Sequence, residues 1–390
     1  MKKLLIGGSP CQHWSIGNSN GRETEPYTGS GWELFKCYLA AKEKFQPDFF
    51  LYENNQSAAQ MIKDAISDSL GYPIQYINSS LVSAQSRKRL YVHNLGDIGQ
   101  PEECGLVVKD ILDDFDDEIH YILAHASKVE PDPNKLIRLG DIGTTGQGNR
   151  VYSHEGKSAT LTANGGGMGG KTGLYSVPVR LGDIGSDTQS ARIYSHEGKS
   201  RTITSGNGGR GSNTGLYTVP LNDADKKDCE LQSPSASEEK KVEKIHSVVD
   251  GQIKTDYGLL NVNLPDGDYI IRKLKPVECE RLQTLPDGYT EGISKTQRYK
   301  CLGNGWTAKV IEFILSHMDI DKDEELIVLS MFDGIGTGRY VLDQLGFTNI
   351  KYYAYEIDKN AIQVAKKNYP DIIELGDAFQ LMEEDWHLDY

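Results

Sequence analysis

The sequence predicts an α/β protein: a doubly wound, mostly parallel sheet accompanied by a smaller β-rich region. Three observations carry that expectation. Short apolar runs that read as strands alternate with helical patterns at both ends of the chain. In the middle a glycine-rich unit occurs twice, at residues 138–179 and 180–221. A charged, serine-containing stretch, 222–244, then reads as a flexible linker.

Taken in order, LLIGG and FFLYE are the strands expected near the N-terminus, and Gln85-Ser-Arg87-Lys-Arg89 leads into LYVHNL. Arg87 and Arg89, two positions apart, fall on one face of an extended strand. The two repeats both open with RLGDIG and continue as RVYSHEGKS and RIYSHEGKS. Arg138 maps to Arg180, Tyr152 to Tyr194 and Tyr175 to Tyr217, always 42 residues on, which defines a duplication. Their β-branched and aromatic stretches, broken by glycine turns, predict strands and hairpins. After the linker, Ala308 to His317 has helical spacing, with Val310, Ile311, Phe313 and Ile314 apolar. An acidic connector, Asp319 to Glu325, precedes the strand LIVLSMF; YYAYEI and IIELG are the last expected strands.

At 390 residues the chain has room for two cores. With 38% hydrophobic and 25% charged residues, and no apolar run of bilayer length, composition excludes a membrane role and suggests a cytoplasmic protein, bacterial or in a phage-infected cell. The six cysteines form no CxxC pair, so neither structural zinc nor a disulfide scaffold is expected. A net charge of −14 excludes a globally basic nucleic-acid binder. Residues 138–220 nevertheless hold nine Lys/Arg against five Asp/Glu, a local excess of positive charge. That stretch reads either as two solvated β units or as a DNA-reading module whose glycines admit phosphates.

The chemistry sits at strand ends. LIVLSMF runs into Phe332-Asp333-Gly334-Ile-Gly336-Thr-Gly338 and then a helix, a turn that brings backbone close to a nucleoside. Glu356, at the end of the next strand, is where a carboxylate can hold ribose hydroxyls; Gly376-Asp377-Ala378 follows the third, where Asp377 could accept from an adenine amino group. Alone, this pattern serves many nucleoside cofactors. At the other end Gly8-Ser9-Pro10-Cys11-Gln12 follows a strand. A free cysteine is usually a small buried hydrophobe, but proline beside it makes a rigid loop, a poor place for an inert thiol. Glu53 ends FFLYE, near that loop.

Together these pieces resemble the DNA (cytosine-5) methyltransferase family, in a phage-like branch. GGSPCQ is similar to its nucleophile motif, YENN to its ENV motif, QSRKR to QxRxR, FDGIGTG to the cofactor loop and CLGNGWTAKVI to the closing GN motif. RKLKPVECERLQTLPDGYT, with TQRYK after it, is similar to the segment preceding that closing motif. The resemblance implies a Rossmann-like S-adenosylmethionine-dependent methyltransferase with a target-recognition domain, acting on double-stranded DNA as a monomer, as in restriction-modification. It implies Cys11 as the nucleophile adding to cytosine C6, Glu53 at N3 and the amino group, and Arg89 helped by Arg87 at O2 and the phosphate. It implies a cofactor held by Pro10, Asn304, Phe332, Gly334, Gly336, Gly338, Glu356, Ile357 and Asp377, with no metal. The expected divisions are 1–100 (nucleophile half), 101–270 (target recognition), 271–318 (return to the catalytic domain), 319–325 (connector) and 326–390 (cofactor half).

Two departures stand out. The cofactor motifs come last and the nucleophile motif first, which suggests a circular permutation closed by residues 319–325. Asn55 stands where the family usually has valine, and Tyr355 precedes Glu356 where a small residue is common. Both are expected near the cofactor, where with Arg339 they would add polar capacity for a carboxylated S-adenosylmethionine delivering a carboxymethyl group. Methyl transfer is the expectation, with carboxymethyl transfer and tRNA cytosine methylation as alternatives.

Overall fold

The computed structural model describes residues 1–15, 21–111 and 274–390, and, of the stretch from 112 to 273, the backbone of individual strands. In chain order the first strands are β1 (Lys2–Gly7), β2 (Phe49–Asn55), β3 (Gln75–Asn78) and β4 (Lys88–His93). The middle strands are β5 (Arg138–Asp141), β6 (Arg150–Tyr152), β7 (Leu174–Tyr175), β8 (Gly182–Asp183), β9 (Arg192–Ser195), β10 (Leu216–Pro220), β11 (His246–Val249), β12 (Gln252–Thr255), β13 (Gly258–Asn261) and β14 (Gly267–Lys273). The last are β15 (Leu326–Met331), β16 (Ile350–Tyr355) and β17 (Ile373–Glu374). Helices are α1 (Gly29–Phe45), α2 (Gln60–Leu70), α3 (Pro276–Leu282), α4 (Lys295–Asn304), α5 (Ala308–Leu315), α6 (Thr337–Gln344) and α7 (Lys359–Asn368).

Seven strands form one sheet in the order β17-β16-β15-β1-β2-β4-β3. Its pairs are parallel except those made by β4, which runs against both β2 and β3. Alternation along each strand sends side chains to opposite faces. Leu4, Ile6 and Val328 pack with Val310, Ile311 and Ile314 of α5, Val341 and Leu342 of α6 and Val364 of α7. Leu5, Ile327 and Leu329 pack on the other face with Trp32, Phe35 and Tyr38 of α1 and Ile62 and Ile66 of α2. All six residues of β15 are buried, which is why LIVLSM reads as an unbroken apolar run rather than an alternating one. The doubly wound, mostly parallel sheet is therefore the observed fold.

The two ends of the chain share this sheet. β1 pairs with β15 along its full length, from Lys2↔Leu326 to Gly7↔Met331. The acidic connector contributes no helix or strand and feeds into β15 where the Lys2 amide donates to the Glu325 carbonyl at 2.8 Å. The segment 274–304 is braced by the fully buried Glu280, which accepts from the Gly288 amide at 2.7 Å, the Thr290 amide at 2.8 Å and Arg298 Nη2 at 2.8 Å. A buried carboxylate satisfied this way makes the turn after α3 rigid.

In the duplicated unit the described backbone repeats itself. β5 and β6 pair antiparallel with Gly140↔Val151 and Asp141↔Arg150, and β8 and β9 do the same with Gly182↔Ile193 and Asp183↔Arg192. β6 and β7 then pair in parallel as Tyr152↔Tyr175, and β9 and β10 as Tyr194↔Tyr217. Each register is the other shifted by the sequence period. The first unit is a three-stranded sheet, whereas the second belongs to a seven-stranded sheet of order β13-β12-β11-β14-β10-β9-β8. The remaining residues of the repeats and the expected linker 222–244 lie outside the described residues.

Candidate active site

Strand order alone brings the two expected half-sites together. β1 and β15 are adjacent and parallel, so the loops leaving their C-terminal ends, Gly8 to Cys11 and Phe332 to Gly336, emerge side by side. β2, on the other side of β1, delivers Glu53, and the antiparallel β4 returns Arg89 opposite Asn55. A cavity of about 450 Å³ opens there. Its wall contains Pro10, Cys11, Glu53, Arg87 and Arg89 from the nucleophile half, Asn304 from the returning segment, and Phe332, Gly334, Glu356 and Ile357 from the cofactor half.

Glu53 is clamped at both oxygens. Arg89 Nε lies 3.0 Å from Oε1, and Trp306 Nε1 donates to Oε2 at 3.1 Å. Arg89 is only 5% exposed, so this is a mostly dry ion pair whose charges are screened little. Arg87 is also buried and donates through Nη2 to the carbonyls of Gly303 at 3.2 Å and Gly305 at 3.0 Å. It thereby moors the loop that presents Asn304 and Trp306 to the cavity. Burial, with the charge of Arg89 beside it, pulls the Arg87 guanidinium below its usual range.

Two cysteines line the cavity, and electrostatics separates them. Burial pushes the Cys11 thiol up and Glu53 adds to this, but Arg89 and Arg87 both pull it back toward the thiolate. Cys301 is pushed to about 12 by burial and then by Asp358, with Lys300 as its opposing charge. Of the two, Cys11 is the one whose burial is opposed by two guanidiniums, which favour the thiolate there.

The cofactor side fits a nucleoside with a charged amino-acid tail. Phe332 holds φ +57 and Gly334 φ +65, so the chain turns sharply as it leaves β15. A bulky residue in the left-handed region is a strained conformation of the kind found at ligand sites. A Cβ on Gly334 would meet nothing within 4 Å, which leaves that backbone open to a ligand. Glu356 Oε2 accepts from the Gly334 amide at 2.9 Å and Oε1 from the Ile357 and Asp358 amides at 2.8 Å, fixing a carboxylate that keeps acceptor capacity for hydroxyls. Ile357 is 71% exposed at the rim, an apolar side chain left mostly uncovered. Asp333, at the wall, has one oxygen bonded by Ser330 and Tyr352 and a second, Oδ2, buried with no partner among the described residues. That orphan oxygen suits an ammonium group.

Three expected cofactor residues are not in the cavity wall. Gly336 caps α6 at φ +75, and a Cβ there would press on Ala365 and Ile372 at 3.3 Å. Gly338 lets α6 lie against β1 and β16, since a Cβ would fall 2.4 Å from Ile6 Cδ1 and 2.5 Å from the Tyr352 hydroxyl. Both glycines answer to packing. Asp377 accepts from the Phe379 amide at 3.0 Å as the cap of a short turn. Conversely, Trp306, Lys300 and Asp358 line the cavity without having been singled out from sequence. Trp306 lay inside the quoted GN segment, but no spacing rule links it to a carboxylate 253 positions away.

The residues expected to serve a carboxylated donor are engaged elsewhere. Tyr355 receives Trp386 Nε1 at 2.7 Å on the opposite face, Arg339 bonds Asp371 at 3.1 Å over the Tyr369 ring, and Asn55 is buried beneath the Cys11 loop. None of the three lines the cavity, and the carboxylated donor loses its rationale.

Residues 2–319 match the model of the family described as C-5 cytosine-specific DNA methylase. The chain belongs to that family. Among curated relatives, the type II methyltransferase M.HhaI of Haemophilus parahaemolyticus is 27% identical over 199 residues, which are 45% of this chain and 59% of that protein. The orphan methyltransferase M.SPRI of Bacillus phage SPR is 26% identical over 401 residues, 83% of this chain and 84% of its own. The crystal structure of S. pombe Dnmt2 methyltransferase covers 81% of this chain and 97% of its own at 10% identity, with a TM-score of 0.32. Among the described residues of this family member no helix is long and apolar enough to cross a membrane, and no group of three His, Cys, Asp or Glu could hold a metal ion.

Proposed function

We propose that this protein transfers a methyl group from S-adenosyl-L-methionine to C5 of a cytosine flipped out of duplex DNA, through a covalent bond between Cys11 and C6. The observation that carries this reading is that the Cys11 loop and the glycine turn after β15 face the same cavity. A nucleophile and a nucleoside-type turn on adjacent parallel strands are placed for reaction at one ring. The target atom is hidden in a stacked helix, so the base enters the cavity unpaired.

Each side chain then has a task its surroundings support. Cys11 sulfur bonds to C6 as its proton leaves, which makes C5 nucleophilic; loss of the C5 proton and breakage of the S–C6 bond end the cycle. Glu53 holds a proton at N3 and accepts from the amino group, drawing electrons from C6. Arg89 stabilises O2, and Arg87 sets the wall that faces the base. S-adenosyl-L-methionine, when bound, supplies an electrophilic methyl carbon. Glu356 would hold its ribose, Phe332 and Ile357 its adenine, and Asp333 its ammonium.

We further read the motif order as a circular permutation, supported by the continuous β1–β15 pairing and by a family match that ends at residue 319, before the glycine turn. The slightly basic duplicated unit is read as the target-recognition region. The test is nucleoside mass spectrometry of duplex DNA and of tRNA, each incubated with purified protein and S-adenosyl-L-methionine. New 5-methylcytosine in DNA, absent with Cys11→Ser, is expected. Product confined to tRNA, or undiminished in Cys11→Ser, overturns the reading.

A further inference from the structure

Asn55 is a departure from the family pattern that the proposed chemistry leaves unused, and its surroundings give it a task. Two consecutive asparagines end β2 beneath the nucleophile loop. Asn54 Nδ2 donates to the Ser9 carbonyl at 3.0 Å, and Asn55 Nδ2 to the Cys11 carbonyl at 3.3 Å. The carbonyls on either side of Pro10 are thus each held by an amide. Both asparagines are buried, at 0% and 1% exposure, so neither bond competes with bulk water.

The Cys11 carbonyl has two other donors, the amides of Trp14 at 3.2 Å and Ser15 at 3.0 Å. Both belong to the turn that Cys11 itself begins, so they fix its shape and travel with it. Among the described residues, the Asn55 amide is the bond that ties the Cys11 backbone to the sheet. A carbonyl can only accept, so the nitrogen of Asn55 must face it. The orientation is set on both sides: Ser57 Oγ donates to Asn55 Oδ1 at 2.5 Å, and Asn55 Nδ2 also donates to Asn54 Oδ1 at 3.3 Å. Valine, which the family pattern places here, would fill the space without an N–H.

We propose that Asn55 is a positioning residue for the nucleophile: its side-chain amide, oriented by Ser57, sets the place of Cys11 relative to Glu53 and the incoming base. This rests on the reading of Cys11 as the attacking thiol. The gain is in orientation, not in binding, because Asn55 lies beneath the loop and outside the cavity wall. Misplacement of a reacting group by about 1 Å lowers rates by about 100-fold, so a loop still anchored through Ser9 should lose about tenfold.

The experiment measures the single-turnover rate at which DNA carrying 5-fluorocytosine becomes covalently attached to the protein in the presence of S-adenosyl-L-methionine. Equilibrium binding of DNA and of cofactor is measured alongside. Asn55→Val should lower the attachment rate about tenfold with both affinities unchanged, and Ser57→Ala should lower it less in the same way. Attachment by Asn55→Val within a factor of about two of the wild type, or a parallel loss of affinity and rate, overturns the proposal. If Asn55→Val does not fold, Ser57→Ala at the wild-type rate has the same force. Absence of attachment in the wild type would instead overturn the covalent reaction itself.

Discussion

Gly8→Ala tests whether the two ends of the nucleophile half are held in register by contact alone. A Cβ on Gly8 would stand 2.3 Å from the Glu53 carbonyl oxygen and 3.0 Å from its Oε2. Real Cβ contacts essentially never fall under 3.0 Å, so the ends of β1 and β2 must separate by about 0.7 Å or more. The neighbour at closest approach is backbone, which cannot swing aside as a long side chain would. Gly8 leads directly into the Cys11 loop, and the displaced partner is Glu53, so the movement lands between the thiol and the carboxylate that must act on one ring. With roughly 100-fold lost per ångström of misplacement, covalent attachment to 5-fluorocytosine DNA should slow about 30-fold, or ~2 kcal/mol of barrier. Cofactor affinity should persist, since Phe332, Gly334 and Glu356 are carried by β15 and β16. The assay is single-turnover attachment beside calorimetric binding of S-adenosyl-L-methionine. A folded Gly8→Ala protein reacting at the wild-type rate would refute the reasoning.

Three further outcomes follow from the charges and the repeats. Burial raises the Cys11 thiol and Arg89 is the strongest opposing charge, so Arg89→Gln should shift the rise of attachment rate to higher pH; a rise at lower pH would contradict the assignment. Glu374 is raised to about 7 by burial and then by Asp333. Because its folded-state value lies above the unfolded one, wild-type stability falls as pH rises from the ordinary carboxylate range through about 7. Glu374→Gln should therefore melt higher than wild type at alkaline pH and no higher at pH ~4; an equal change at both would exclude the titration. Deletion of residues 138–221 should abolish sequence-specific DNA binding and spare cofactor binding, and a folded deletion variant that loses both would contradict separate roles.

Much of the site was legible because its signals are local. A glycine turn after an apolar strand, a proline-cysteine loop after another and an acidic residue ending a third are patterns of a few residues, and Cys11, Glu53, Arg87, Arg89, Phe332 and Glu356 all stand in one cavity wall. The duplication was equally plain, and its period reappears in the strand registers. The helix α5 was legible too, in the spacing of Val310, Ile311 and Ile314, which pack on one face of the sheet.

What only the tertiary structure decided is which distant groups meet. Strand parity puts Asn55 on the side opposite Asn54, yet both reach the nucleophile loop because that loop folds over the end of β2. The same glycine motif contains Gly334, open to the cavity, and Gly338, already in α6, where a Cβ would strike Ile6, and no spacing distinguishes them. Trp306 finds Glu53 because Arg87 ties down the intervening loop, a contact spanning most of the chain. Sequence period reports the face a residue occupies on its own element. The partner across a gap is set by strand order and loop closure, which depend on the packing of the whole sheet.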